Sequence, residues 1–72
     1  MIELDTSGLS CPLPLLKAKQ ALNKMQAGEK LTVIATDAGS WRDFEVFARQ
    51  GGSLLLDRSE VDGVYRYLLQ KI

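Results

Sequence analysis

The sequence predicts a two-layer α/β sandwich in the order β-α-β-α-β-β, with both helices on one face of a four-stranded mixed sheet. Three observations lead there. Two short strand-like stretches are each followed by a turn and an amphipathic helical stretch. Asp62-Gly63 then separates two further strand-like runs and is a strong two-residue hairpin signal. Finally, 72 residues make one domain, expected to span 1–72. A chain this short buries only about 60% of its unfolded surface, which leaves room for one small core.

Ile2-Glu3-Leu4-Asp5 alternates apolar and polar residues and reads as a short strand. Thr6 to Ser10 is a turn. From Pro12 to about Gln26 the pattern is helical: Leu15, Ala18, Ala21, Leu22 and Met25 share one face, with Lys17, Gln20 and Lys24 opposite. Gly28 is a terminator just past the end. Leu31 to Thr36 is rich in Val, Ile and Thr, and its nearly continuous apolar run suits a central strand. Asp37-Ala38-Gly39-Ser40 is a turn. Ser40 is the candidate cap of a second helix, with Asp43 in the capping-box position and Asp37 as the alternative cap. That helix runs from about Trp41 to Gln50, with Phe44, Phe47 and Ala48 on its apolar face, and Gly51-Gly52 ends it. Residues 54–60 and 64–70 are the hairpin strands. If Asp62-Gly63 is the turn, Val61 faces Val64 and Arg58 faces Tyr67. Which hairpin face meets the helices stays open. Strands joined by helices run parallel, with right-handed crossovers, and the hairpin adds the antiparallel strand.

The stretch Gly8-Leu9-Ser10-Cys11-Pro12-Leu13-Pro14 holds the only cysteine. Proline suits the first turn of a helix, so Pro12 and Pro14 mark a helix start and place Cys11 at or next to its N-cap. Free N–H groups and the helix dipole favour an anion there, which predicts an exposed cysteine with a lowered pKa. The alternative is a small buried hydrophobe; the flanking Gly8, Ser10 and prolines argue for a turn instead. Sites in open α/β sheets gather at the carboxyl ends of the parallel strands. Asp37, Ser40, Trp41 and Arg42 are therefore the expected neighbours of Cys11. Each also has a structural reading: turn and cap for Asp37 and Ser40, core edge for Trp41, solvated charge for Arg42 and Asp43. Lys17 and Lys19 form a wet face with a steering role. Leu9, Leu13 and Leu16 are expected to form an apolar docking patch beside the sulfur, since Leu13 and Leu16 lie off the core stripe. Against this, Leu9 could tuck under the helix as a staple.

Composition excludes several functions. With no histidine there is no Cys–His pair, and with one cysteine no zinc site; neither metal nor cofactor is expected. Nine basic and nine acidic residues leave no basic footprint for nucleic acid. No signal peptide or spanning segment is read, and a lone thiol suits a reducing, cytoplasmic setting. A thiol redox protein is disfavoured because Cys-Pro-Leu-Pro lacks a second cysteine.

Cys11-Pro12-Leu13-Pro14 resembles the Cys-Pro-x-Pro motif of the TusA/SirA-like sulfur-carrier family. The likeness includes Leu4-Asp5 with Gly8-Leu9, Gly28-Glu29, Asp37, Arg42-Asp43, Asp62-Gly63 and Tyr65-Arg66-Tyr67-Leu68, and so runs the length of the chain. It implies the same α/β sandwich, shared with the C-terminal domain of a translation initiation factor. It also implies a cytoplasmic protein that carries sulfane sulfur as a persulfide on Cys11; a monomer is expected. Such carriers take sulfur from a cysteine desulfurase or a rhodanese-like donor and pass it to a downstream acceptor protein. The known destinations are tRNA thiolation, molybdenum-cofactor metabolism and sulfur oxidation. Leu13 departs from the Glu of the tRNA-thiolation carriers, which bears on partner and pathway. A carrier is closer to a covalent relay than to a true enzyme. The alternative is a non-enzymatic regulator or adaptor on the same fold, with a structural Cys11.

Overall fold

The computed structural model describes residues 2–72. It contains β1 (Ile2–Thr6), α1 (Leu13–Asn23), β2 (Lys30–Ala35), α2 (Ser40–Arg49), β3 (Leu54–Val61) and β4 (Val64–Gln70), the expected order. The four strands form one sheet in the order β1-β2-β4-β3. β1 runs parallel to β2, and β4 lies antiparallel to both β2 and β3. The Val- and Ile-rich β2 is thus a central strand, as its apolar run predicts.

Register follows the pleat. Leu31, Val33 and Ala35 of β2 are buried, while Thr32 and Ile34 between them are only half-covered. Both helices pack on the first of these faces. α1 supplies Ala18, Leu22 and Met25, and α2 supplies Phe44. Leu15 and Ala21 of the expected α1 stripe are half-buried and pack against this core; Lys17, Gln20 and Lys24 are exposed. α1 ends earlier than its periodicity suggests, at Asn23, and Met25 reaches the core from the turn that follows.

The hairpin keeps the register of its turn. Val61 faces Val64 and Arg58 faces Tyr67. Asp62 and Gly63 both have positive φ, the backbone that a two-residue type I′ turn requires. A bulge between Leu55 and Asp57 inserts one unpaired residue, Leu56. Leu55 and Arg58 therefore pair with Leu69 and Tyr67, both fully buried beneath the helices. This settles which face of the hairpin is covered: Tyr65, Tyr67 and Leu69 point toward α1 and α2. The Tyr67 ring stacks on Phe44, centroids 4.4 Å apart and 23° from parallel.

Ser40 is not a cap. The N-cap position of α2 is Gly39, and no side chain bonds a free N–H there. Ser40 is buried instead, and its hydroxyl donates to the Asp37 carbonyl at 2.6 Å. The Tyr67 hydroxyl lies 2.6 Å from Ser40 Oγ and donates to it, because the serine proton is already committed. Burial pushes the Tyr67 phenol above its ordinary pKa, so it keeps the proton that this chain of bonds needs. The chain ties the 37–40 turn to the sheet. No helix among the described residues is long and apolar enough to cross a membrane.

Candidate functional site

Cys11 lies in the loop after β1, one residue before the N-cap of α1. The helix starts at Leu13, not Pro12: Pro12 is the N-cap residue, and the Cys11–Pro12 peptide bond is cis. The loop is held locally. Asp5 accepts the Ser7 N–H at 2.9 Å and the Ser7 hydroxyl at 2.6 Å, which lowers the Asp5 pKa. Leu9 N–H bonds the Thr6 carbonyl at 3.2 Å, and Gly8 N–H bonds Thr36 Oγ1 at 2.8 Å. That last bond joins the loop after β1 to the end of β2, so the two turns that precede the helices sit side by side.

Pro12 is exposed, but Pro14 is fully buried. Pro14 is therefore a packing residue as well as a backbone constraint. An alanine there removes core volume in addition to freeing the backbone, so a purely orienting role for Pro14 is not what its burial shows.

The thiol is exposed, as expected, but its electrostatic setting is the reverse of the expected one. Sγ donates to Asp43 Oδ2 at 2.8 Å. Among the described residues no backbone N–H reaches the sulfur, so the helix terminus gives a thiolate no hydrogen bond. The bond to Asp43 is the main reason that the Cys11 pKa is raised. Desolvation and the negative charges of Asp43 and Asp37 push it the same way. The expectation of a lowered pKa fails because it counted the dipole of α1 and not the carboxylate that α2 brings across.

Asp43 comes from the first turn of α2, four residues after Gly39 and on the same side of the helix. Gly39 forms the floor beneath Cys11. A Cβ at Gly39 would lie 3.5 Å from Cys11 Cβ, 3.8 Å from Sγ and 2.9 Å from Asp37 Oδ2. Its φ of −64° is open to any residue, so space, not backbone freedom, selects glycine here. Gly39→Ala is accordingly expected to move Cys11 or the Asp37 carboxylate by a few tenths of an ångström and to disturb the Cys11–Asp43 bond. A changed rate of thiol alkylation with a small change in melting temperature is the expected result; an unchanged rate would contradict it.

Of the predicted neighbours, Asp37 is brought to the site. It is half-buried, its charge acts on Cys11, and its Oδ2 is enclosed without a hydrogen-bond partner. Trp41 is not brought there. Two residues along a helix is about 200° of rotation, so Trp41 faces away from the Asp43 side. It meets Tyr65 edge-on, centroids 6.2 Å apart, and Arg58 lies 4.0 Å above its ring. With Ala38, Glu60 and Tyr65 it lines an open hollow of about 380 Å³ on the other side of the turn. Arg42 is exposed and makes no ion pair among the described residues. Lys17 is exposed, and Lys19 sits 5.4 Å from the centre of the Phe47 ring. Leu13 and Leu16, neighbours at i and i+3, are 42% and 46% exposed, while Leu9 is half-buried.

Sequence reading missed Gly39 and passed over Asp43 as a capping or surface charge. The available signal was their spacing: four residues apart, at the start of the helix that must begin beside Cys11.

Comparison with known proteins identifies the family of the chain. Residues 2–71 match the family described as sulfurtransferase TusA. The chain is 58% identical over 67 residues to a putative sulfur carrier protein of Neisseria meningitidis, covering 93% of this chain and 90% of that one. It is 52% identical over 69 residues to the sulfur carrier protein TusA of Allochromatium vinosum, covering 96% and 91%. The crystal structure of a SirA-like protein from Desulfitobacterium hafniense superposes with a TM-score of 0.83 at 30% identity, covering 97% of this chain and 96% of that one. On the near full-length family match and these identities, the chain belongs to the TusA sulfurtransferase family.

Proposed function

We propose that this protein is a sulfur carrier that takes up sulfane sulfur as a persulfide on Cys11 and hands it to an acceptor protein. The observation that carries this reading is the placement of the sole thiol. It stands exposed at the edge where both helices begin, in a chain related along its length to sulfur carriers. In the loading step the Cys11 thiolate attacks the outer sulfur of a donor persulfide. The donor S–S bond breaks, the donor cysteine leaves as a thiolate, and a new S–S bond forms on Cys11. One sulfur atom moves and no external oxidant or reductant is needed. Release is the same exchange with Cys11 as the leaving group.

The surroundings suit a carrier. Asp43 and Asp37 are the charged side chains that act on the sulfur, and the sequence has no histidine to serve as a base. The partner enzymes, a cysteine desulfurase or rhodanese-like donor and a downstream acceptor, supply the remaining chemistry. A reducing, cytoplasmic compartment keeps the lone thiol free for this work. The test is intact mass after incubation with a cysteine desulfurase and cysteine. A gain of one sulfur atom, reversed by a thiol reductant and prevented by prior alkylation, supports the carrier. No gain under conditions that load a known carrier would overturn it.

The exposed pair Leu13 and Leu16, with Leu9 beside Cys11, supplies an apolar surface to a partner next to the carried sulfur. Leu13→Glu is expected to leave the melting temperature within a few degrees, since little burial is lost. Affinity for the cognate donor or acceptor should fall about tenfold or more, the effect of losing one central apolar contact and desolvating a charge. A large drop in melting temperature, or unaltered binding, would remove Leu13 from the docking surface.

A further inference from the structure

The contact between Cys11 and Asp43 depends on what the sulfur carries. Asp43 Oδ2 accepts, so the 2.8 Å bond exists only while Sγ holds a proton. Ionising the thiol would set two negative groups against each other. Converting it to a persulfide makes Sγ the inner sulfur of an S–S bond, and an inner sulfur has no proton to donate. The same two side chains thus attract each other in the empty protein and lose that attraction in the loaded one.

Among the described residues nothing around the pair offsets this. From the turn before α2, Asp37 adds a second negative charge, and its enclosed Oδ2 has no partner. From α1, the first turn contains no acidic residue, and the first basic residue along it, Lys17, is exposed. On α2, Arg42 adjoins Asp43 in sequence yet forms no ion pair with it. The raised pKa of Cys11 agrees with this account.

We propose that Asp43 is a positioning residue that distinguishes the empty protein from the loaded one: it holds Cys11 as a bound thiol against α2 and lets the side chain go once Sγ becomes the inner sulfur of a persulfide. This rests on the persulfide reading above. The bond links the loop that begins α1 to the first turn of α2, so loading cuts a cross-link between the two segments nearest the sulfur. It also moves the reactive atom one S–S bond outward, about 2.0 Å, and the Asp43 and Asp37 charges turn an anionic outer sulfur toward solvent. An empty protein is quiet toward electrophiles until a donor displaces Asp43, and a loaded one presents its sulfur freely. Partners can tell the two states apart without any movement of the sheet.

The experiment compares wild type with Asp43→Asn, which keeps an acceptor oxygen but removes the charge. Alkylation of the empty protein by iodoacetamide is followed by intact mass across a range of pH. The variant is expected to react on the order of fivefold faster near neutral pH, since its thiolate fraction rises while the nucleophilicity of each thiolate falls somewhat. Its whole profile should move to lower pH, with a smaller movement in Asp37→Asn. The proteins are then loaded with inorganic polysulfide and the outer sulfur is alkylated; here wild type and Asp43→Asn should agree within about twofold. Coincident profiles in the empty proteins would overturn the role of Asp43. An equal difference in both states would overturn its dependence on loading. Asp43→Ser, read in the same way, serves if the asparagine variant unfolds. Failure of the persulfide reading shows separately, as no sulfur gained from the desulfurase while the alkylation profiles still differ.

Discussion

Phe44→Ala is expected to remove most of the stability of this protein. Phe44 is fully buried, and its ring stacks on the equally buried Tyr67 with centroids 4.4 Å apart. It is the one large apolar side chain that α2 buries completely; the other fully covered residue of that helix is Ser40. Truncating a buried phenylalanine costs about 3–5 kcal/mol through lost transfer energy and the cavity left behind. A core in a chain below about 70–80 residues rarely supplies more than about 3–5 kcal/mol in total. The two figures are the same size, so the variant should be largely unfolded at ambient temperature or melt tens of degrees lower. Urea titration followed by circular dichroism measures this. A loss below about 1 kcal/mol would mean that the core closes over the gap and that α2 is held by its flanking contacts instead. The site would suffer along with the core, because α2 carries both Asp43 and the turn beneath Cys11.

Cys11→Ser is expected to abolish sulfur loading and to leave the fold intact. The side chain is exposed, so its replacement removes no core packing. A serine hydroxyl can donate to Asp43 as the thiol does, so the link between the two helix starts survives. What is lost is the atom that forms the S–S bond, and with one cysteine in the chain no other residue can take over. Intact mass after incubation with a desulfurase and cysteine should show no added sulfur, while the melting temperature stays within a few degrees of wild type. Residual loading on this variant would place the sulfur elsewhere and defeat the carrier proposal. A collapse in stability would instead favour the regulator or adaptor reading, in which Cys11 is structural.

The contrast between these two variants follows how the chain encodes its structure. The architecture was legible because it rests on local signals. Alternation in β1, the apolar run of β2, the helical stripes and the Asp62-Gly63 turn each act within a few residues, and each matches what forms. Even the pairing of Arg58 with Tyr67 could be counted out from the turn. Where local rules compete, tertiary contacts decide between them. Ser40 has the chemistry of a cap, yet the sheet side offers it Tyr67, and a buried hydroxyl between a carbonyl and a phenol outweighs a solvent-side cap. The bulge at Leu56 shows only in the pairing register of β3 with β4. Pro14 marks the start of α1 and belongs to the core as well, since it is the second residue of the helix and fully buried.

Sequence by itself determined the order of the elements, that the helices begin at one edge of the sheet, and that a lone cysteine stands at that edge. These follow from hydrophobic period and turn signals, which need no knowledge of distant contacts. It also carried the family likeness, which the comparisons bear out. Only the tertiary structure decided which side chain meets the sulfur. Cys11 and Asp43 are 32 residues apart, and their contact depends on the rotation of α2 about its own axis. A change of two residues in that rotation would have presented Trp41 instead. The rotation is set by Phe44 on Tyr67 and by the Tyr67–Ser40 hydrogen bond, both of them long-range contacts, with the local Ser40–Asp37 bond extending the second. That is why a helix dipole, which the sequence announces, lost to a carboxylate that it does not.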